Sequence, residues 1–440
     1  MFVSYRVRIH ISPQTKQYKA SSLYIVITHP NTYTIPFITM STSSLAFQYT
    51  IDTVEYPPSE VRSKSVLGKY TILNDMASSE TNGAYRSVVV LTETNQPVAF
   101  APVRAISLES FLEKYDITSD DVQTTDIIEG TMMNLFYTPE GWEIATKSAI
   151  GGHYWYYRTQ YGKSVVEPGQ KTFREMFLDA MRVDADTPLD EVPFIRGLSK
   201  DYSYCFVVQH PANHIVLPVQ EPSVWLVSMF HIVSSNNAHR PTEYRVRNIP
   251  QSAFKTLIPE FDAIGVVQLP ETRRYTLPTT ADELRTAATF FHPQSLGYMI
   301  THTQTGERCA LENPHYAHMR ELRGNHPNLQ YQYLVLLRMG KIPEFLWHFP
   351  SYKPLFNLFY EQYTGFITAV HNAYVAYYIR KDKAEIPKKY FVHAARLHHD
   401  VYIPSLKTAE KIIIRRSVVK DYVGRLEPRE LMYSLNDVSN

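Results

Sequence analysis

Apolar residues between positions 85 and 233 come in short β-branched and aromatic runs separated by Pro, Gly and Asn turns. The runs are YRSVVVL (85–91), QPVAFAPV (96–103), TMMNLFY (131–137), WEIATKS (142–148), YCFVVQH (204–210), IVLPV (215–219) and WLVSMFHIV (225–233). Runs of this length between turn formers predict strands. Helical spacing interrupts them at 171–182, where Phe173, Met176, Phe177 and Met181 share one face, and at 280–291. Many strands with few helices predict an α+β arrangement of antiparallel sheets, not a doubly wound parallel one.

After residue 314 the period becomes helical. Segments 329–350, 355–381, 389–406 and 409–424 space their apolar residues by three and four, punctuated by Pro343, Pro350, Pro354, Pro387 and Pro404. The chain therefore divides into an N-terminal extension (1–50), a strand-rich domain (51–314) and a helical C-terminal domain (315–440). The extension is rich in Ser, Thr, Tyr and Ile and alternates without clear pairing partners. It reads either as an appendage or as translated sequence upstream of a chain that starts at Met40.

Composition narrows the classes. The chain carries 44 Lys and Arg against 43 Asp and Glu, so any polyanion site must be a local patch. Cys205 and Cys309 are the only cysteines, which excludes a disulfide framework and a zinc ribbon and suits a reducing compartment. The absence of an apolar stretch of about 18 residues predicts no membrane span, and the N-terminus lacks the order of a secretory signal. The charge is uneven along the chain. Residues 379–425 hold twelve cations against five acids, whereas residues 109–129 hold seven acids and only Lys114. The basic tract suits a polyanion, with binding that weakens as salt rises; it equally suits a solvated helix face or a dock for the acidic tract.

Candidate chemistry follows in a fixed order. Tyr85 and Arg86 precede PVAFAPVRAISLESFLEKY (97–115), then TTDIIEGTMMNLFYTPEGWEIATKSAIGG (124–152), YCFVVQHPANHIV (204–216), LGYMI (296–300) and GERCALENPHY (306–316). In order and spacing this resembles the adenylation domain of ATP-dependent RNA ligases of the T-even phage RNA ligase 1 family, and more closely the ligase-like proteins of large nucleocytoplasmic DNA viruses. The resemblance covers roughly residues 66–325. It implies a nucleotidyltransferase-type fold and a lysine that attacks the α-phosphate of ATP, with AMP then passed to an RNA 5′-phosphate. Such an attack needs a deprotonated amine among other cations and a metal, and further lysines and magnesium to neutralise developing charge.

The residues that the resemblance assigns to this chemistry are largely replaced. The family's lysine, any residue, acid, glycine motif falls on Ile127, Ile128, Glu129 and Gly130, so an alkyl side chain stands at the nucleophile. A strand glutamate falls on Val207, the acid of a Glu-Gly-Tyr motif on Leu296, and the two late lysines on Ala310 and Glu312. Arg86, Glu129, Gly130, Lys147 and Tyr298 persist as a nucleotide-binding remnant. No lysine lies between residues 115 and 146, and the nearest to Ile127 are Lys114 and Lys147. No catalytic residue is intact on this reading, and no cofactor is expected; ATP and magnesium enter only if another lysine has taken over.

Each survivor also has a plainer reading. Gly130 suits a close approach between strands, Glu129 an exposed strand carboxylate, Arg86 a structural ion pair and Lys147 a solvated strand face. GGHYWYYRTQYGK (151–163) interleaves aromatics with Arg158 and Lys163, as a stacking platform would, or as core or interface would. His210, His214, His398 and His399 lack metal-ligand spacing and read as ordinary polar residues. Arg380, Lys388, Lys389, Arg415 and Arg416 join Arg158 and Lys163 as RNA-binding candidates. The expected function is a non-catalytic, ligase-like protein of viral origin, in the host cytoplasm or the virion, that binds RNA or a viral protein. The alternatives are a virion-associated structural protein and an active RNA ligase with a relocated lysine.

Overall fold

β-Branched and aromatic residues on both sides of the pleat bury both faces of the central strands at 131–138 and 202–209. The computed structural model describes residues 47–436 apart from 57–58, 77–82, 156–170, 214, 260, 276, 278, 327 and 383–385. In chain order the strands are β1 (Tyr49–Asp52), β2 (Val61–Val66), β3 (Tyr70–Asp75), β4 (Val88–Leu91) and β5 (Pro97–Ala99). A helix, Leu108–Lys114, leads to β6 (Val122–Asp126), β7 (Thr131–Thr138), β8 (Gly141–Thr146) and β9 (Ala149–Ile150). Then follow β10 (Tyr202–Gln209), β11 (Ser223–Ser234), β12 (Glu243–Ile249), β13 (Val267–Gln268), β14 (Thr272–Arg273), β15 (Gly297–His302) and β16 (Arg308–Glu312).

The largest sheet runs β1-β12-β11-β10-β7-β8-β9, antiparallel, with β13 added parallel to β11. A second sheet runs β2-β3-β4-β5 and a third β14-β6-β15-β16, both antiparallel. Side chains alternate across the pleat. β10 therefore sends Tyr204, Phe206 and Val208 into a core with the helices Phe173–Ala180 and Pro193–Arg196. Cys205 goes to the opposite face, against Phe100 and Phe230. The antiparallel α+β arrangement followed by helices is the one the apolar pattern predicts.

Local signals explain the helix starts. Thr172 with Glu175, and Thr280 with Glu283, form reciprocal capping boxes at Phe173–Ala180 and Ala281–Ala288. Asn313 caps Pro314–Arg323 and also donates through Nδ2 to the carbonyls of His292 (3.1 Å) and Ser295 (2.7 Å), tying the helical region to the turn before β15. Beyond it lie Leu329–Met339, Ile342–His348, Lys353–Tyr374, Lys388–Arg396, Arg416–Arg425 and Pro428–Leu435. They bury one aromatic cluster, with Phe345 stacked on Phe356 at 4.9 Å and Tyr333 packed edge-on to Phe356.

Several boundaries differ from the sequence pattern. The run 329–350 splits at Gly340, whose φ of +68° closes the first helix. Residues 409–415 are not helical, and Ile412 and Ile413 are exposed there, so their apolar spacing does not face a core. Tyr85 and Arg86 lie in a turn, with β4 starting at Val88. Segment 215–219 is an irregular loop and not a strand. Pairing decides the last two cases: an apolar run without a neighbouring ladder keeps no strand.

Candidate functional site

The stretch between β6 and β7 carries the site, and it faces the helical region. Ile127 donates its backbone N–H to the Gly297 carbonyl at 3.0 Å, which fixes the chain beside β15. Its side chain is half-buried against the C-terminal aromatic cluster, the same cluster that takes in Val216, Leu296 and Tyr316. The position that the resemblance gives to a nucleophile is thus an apolar contact between the strand-rich and helical regions.

Glu129, two residues on, is 4% exposed. One carboxylate oxygen accepts from the Val216 N–H (2.9 Å) and the Tyr316 hydroxyl (2.6 Å), and the other from the Leu217 N–H (2.9 Å). Arg320 Nη1 in turn donates to the Tyr316 oxygen at 3.3 Å. Glu129 is neither an exposed strand carboxylate nor open to a ribose: its oxygens hold the loop 215–217 and the helix Pro314–Arg323 in place. Burial first, and then the Glu129 carboxylate, push the Tyr316 phenol up, so it stays a donor.

Gly130 has φ +154°, and a Cβ there would lie 2.4 Å from the Val208 carbonyl oxygen and 2.7 Å from Val207 Cγ1. Close approach of β7 to β10 requires the glycine. Val207 is nearly buried opposite Met132. Leu296 is buried in the helical cluster. Ala310 and Glu312 lie on β16 opposite Met299 and Gly297, with Glu312 exposed. Tyr298 packs edge-on to Phe291 at 4.8 Å and takes the Arg273 guanidinium over its ring at 5.2 Å.

Arg86 lies near both Arg104 and Arg308. Arg104 forms an ion pair with Asp75 through Nε. Arg308 donates Nε to the Val103 carbonyl at 2.7 Å and Nη2 to the Pro102 carbonyl at 3.4 Å. Burial, and then Arg86 nearby, push the Arg308 guanidinium down to about 10. Burial and then Arg104 likewise lower Arg86. Arg86 therefore sits among like charges, and the carboxylate nearest its neighbourhood, Asp75, is held by Arg104. Arg104, Arg308 and Tyr316 were not among the residues singled out from sequence; Arg308 was within reach, two residues before Ala310 on the same strand.

The candidate replacement lysines are both exposed. Lys147 is exposed in the turn between β8 and β9 and not in a strand, and its carbonyl accepts from Asn74 Nδ2 (3.1 Å) and Ser87 Oγ (3.0 Å). The turn exists because β8 and β9 pair directly, Thr146 with Ala149. Lys114 ends the helix Leu108–Lys114 and pairs with Glu307 at 2.9 Å. That hydrogen bond raises its ammonium above the ordinary lysine value, the opposite of what a nucleophile needs.

The acidic tract pairs with arginines between residues 273 and 285. Glu109 meets Arg285, Asp120 meets Arg274, and Asp126 meets Arg273 at 3.6 Å. No ion pair joins it to the C-terminal cations among the described residues. Arg380, Lys388, Arg415 and Arg416 are exposed, and Lys389 lies 5.0 Å above the Tyr390 ring. Arg158, Lys163 and His214 lie outside the described residues. His210 hydrogen-bonds Asp179 at 2.9 Å and accepts from the Ala212 N–H at 2.9 Å. His398 stacks on Tyr378 at 3.8 Å. Among the described residues no cluster of His, Cys, Asp and Glu could hold a metal ion, and no helix is long and apolar enough to cross a membrane.

No family model and no curated protein matches the chain. Similar solved structures include an RNA ligase variant from Naegleria gruberi with ATP and manganese, at 8% identity and a TM-score of 0.35, covering 50% of this chain and 58% of that one. A second variant with ATP and manganese covers 57% and 64% at 8% identity and a TM-score of 0.36. The same ligase with pyrophosphate covers 57% and 65% at 7% identity and a TM-score of 0.35. The chain spans less than two thirds of these ligases.

Proposed function

We propose that the chain is a non-catalytic relative of ATP-dependent RNA ligases, of the kind carried by large DNA viruses, whose remaining work is to bind RNA. One observation carries the first half: Ile127 packs into the helical cluster while the adjacent carboxylate, Glu129, is tied to loop 215–217 and Tyr316. An alkyl side chain cannot form a phosphoramidate, and the surrounding contacts leave it in an apolar seam between two regions. The second half is supported by the exposed cations Arg380, Lys388, Arg415 and Arg416, which the acidic tract does not neutralise. On this reading neither ATP nor magnesium is required.

The test is fluorescence anisotropy of labelled single-stranded RNA with purified protein between 50 and 200 mM salt. Binding that weakens steeply with salt, and is lost in a Lys388→Glu/Arg415→Glu/Arg416→Glu variant, supports the reading. Absence of RNA affinity, with stable co-purification in virus particles, would instead favour a structural role. A covalent AMP band from α-labelled ATP would favour an active ligase.

A further inference from the structure

A hollow of appreciable size lies in the helical region. A cleft of about 800 Å³ opens between the helices Leu329–Met339, Lys353–Tyr374, Arg416–Arg425 and Pro428–Leu435. That volume is within the ordinary range for small-molecule sites. Its lining is mixed: Leu334, Ile367 and Leu431 supply apolar surface, and Arg338, Arg416, Lys420 and Arg425 supply four cations.

The charge is only partly offset. Arg338 pairs with Glu427 at 2.8 Å, and Asp421 is the acid that lines the cleft itself. Arg416, Lys420 and Arg425 form no ion pair with a described residue and are exposed. The helix Arg416–Arg425 begins at the cleft with no side-chain cap from Arg415, so the first turn adds positive potential on the same side.

A second observation points to a ligand. Tyr363 is 6% exposed, lines the cleft, and its hydroxyl makes no hydrogen bond to a described residue; a Cβ on Gly424 would lie 3.7 Å from that oxygen. The ring is buried but its oxygen is not sealed from solvent, so it can donate into the cleft. Burial, and then Asp421, push this phenol up, which keeps its proton available for donation. Tyr360, half-exposed on the same helix, offers a ring at the cleft's edge.

We infer that this cleft binds a 5′-phosphorylated nucleotide, with the phosphate among Arg416, Lys420 and Arg425 and the base against the tyrosine side. Guanidinium and ammonium groups suit a phosphate, and a tyrosine ring suits a base of any sequence. The nucleotide is either free or the first residue of an RNA strand; the latter rests on the RNA-binding reading above.

Calorimetric titration of the full chain with AMP and with adenosine tests the cleft. Anisotropy of 5′-phosphorylated and 5′-hydroxyl RNA of one sequence tests the source. AMP is expected to bind at least tenfold more tightly than adenosine, an Arg416→Gln/Lys420→Gln variant to lose that difference, and Tyr363→Phe to weaken AMP severalfold. Both cations are exposed, so thermal melting of the double variant should match the parent. Preference for 5′-phosphorylated RNA, lost in the same variant, would identify the strand end as the occupant. Equal binding of AMP and adenosine, or AMP binding lost with Arg86→Gln but not with Arg416→Gln/Lys420→Gln, would overturn the proposal. RNA binding that ignores the 5′-phosphate, with no AMP binding, would sink the cleft and leave the RNA reading standing. AMP binding without RNA binding would do the reverse.

Discussion

Tyr316 and Glu129, 187 residues apart in sequence, are joined by a 2.6 Å hydrogen bond from phenol to carboxylate inside the seam between the strand-rich and helical regions. Removing the donor leaves a buried carboxylate oxygen with one partner fewer. Tyr316→Phe is expected to cost about 1–3 kcal/mol in urea unfolding. Glu129→Gln should cost at least as much, because its amide turns a donor toward the Val216 or Leu217 N–H. A Tyr316→Phe chain as stable as the parent would show that the bond does not hold the seam.

Ile127→Lys puts a lysine where the resemblance expects a nucleophile, in a place that packs an alkyl chain. An ammonium there faces the apolar cluster of the helical region. The expected result is no covalent AMP band with α-labelled ATP and magnesium, and a loss of about 1–3 kcal/mol of stability. A labelled band on this variant would show that the site needs only the lysine.

Two glycines separate crowding from backbone conformation. Gly130→Ala brings a Cβ against the Val208 carbonyl, which cannot move without breaking the β7–β10 ladder, and is expected to cost about 2–4 kcal/mol. Gly340 has φ +68° and nothing within 4 Å of its would-be Cβ, so Gly340→Ala should cost only about 1 kcal/mol. Equal losses in thermal or urea unfolding would remove the crowding argument for Gly130.

His393 makes the helical region sensitive to acid. It is 4% exposed, bonds Tyr422 Oη (2.9 Å) through Nδ1 and Ser434 Oγ (3.0 Å) through Nε2, and packs edge-on to Phe366. Burial first, and then Arg396, hold its imidazole below the ordinary value, with Glu430 opposing them. A histidine lowered on folding takes up its proton more readily in the unfolded chain. Its contribution is therefore complete above about pH 6.5 and declines as pH falls toward the lowered folded value. Urea midpoints of parent and His393→Gln should converge between pH 7.5 and 5.5, the parent losing more. Parallel pH profiles would place the acid sensitivity elsewhere.

Much of the architecture was legible in the order of the apolar runs. TMMNLFY and YCFVVQH became paired central strands, β7 and β10, because each can bury both faces. The capped sequences at Thr172 and Thr280 became helices for reasons contained within four residues. IVLPV misled, since its apolar residues face the helical cluster through a loop whose N–H groups are satisfied by Glu129 and not by a strand. KIIIRR misled in the other direction: it is not helical, and only Ile414 reaches the core while Ile412 and Ile413 are exposed.

The sequence by itself determined that Ile127 cannot act as a lysine, since that is a property of the side chain's atoms in any fold. It also determined the sign of the charge on residues 379–425 and the alternation that makes antiparallel sheets. Only the tertiary structure decided what surrounds those atoms. It brought Tyr316 and loop 215–217 onto Glu129, left the acidic tract to Arg273, Arg274 and Arg285, and set Arg416 and Lys420 around the hollow beside Tyr363. The physical reason is that hydrogen bonds, ion pairs and cavities join residues scores of positions apart, whereas periodicity records only which way each side chain points from its own backbone.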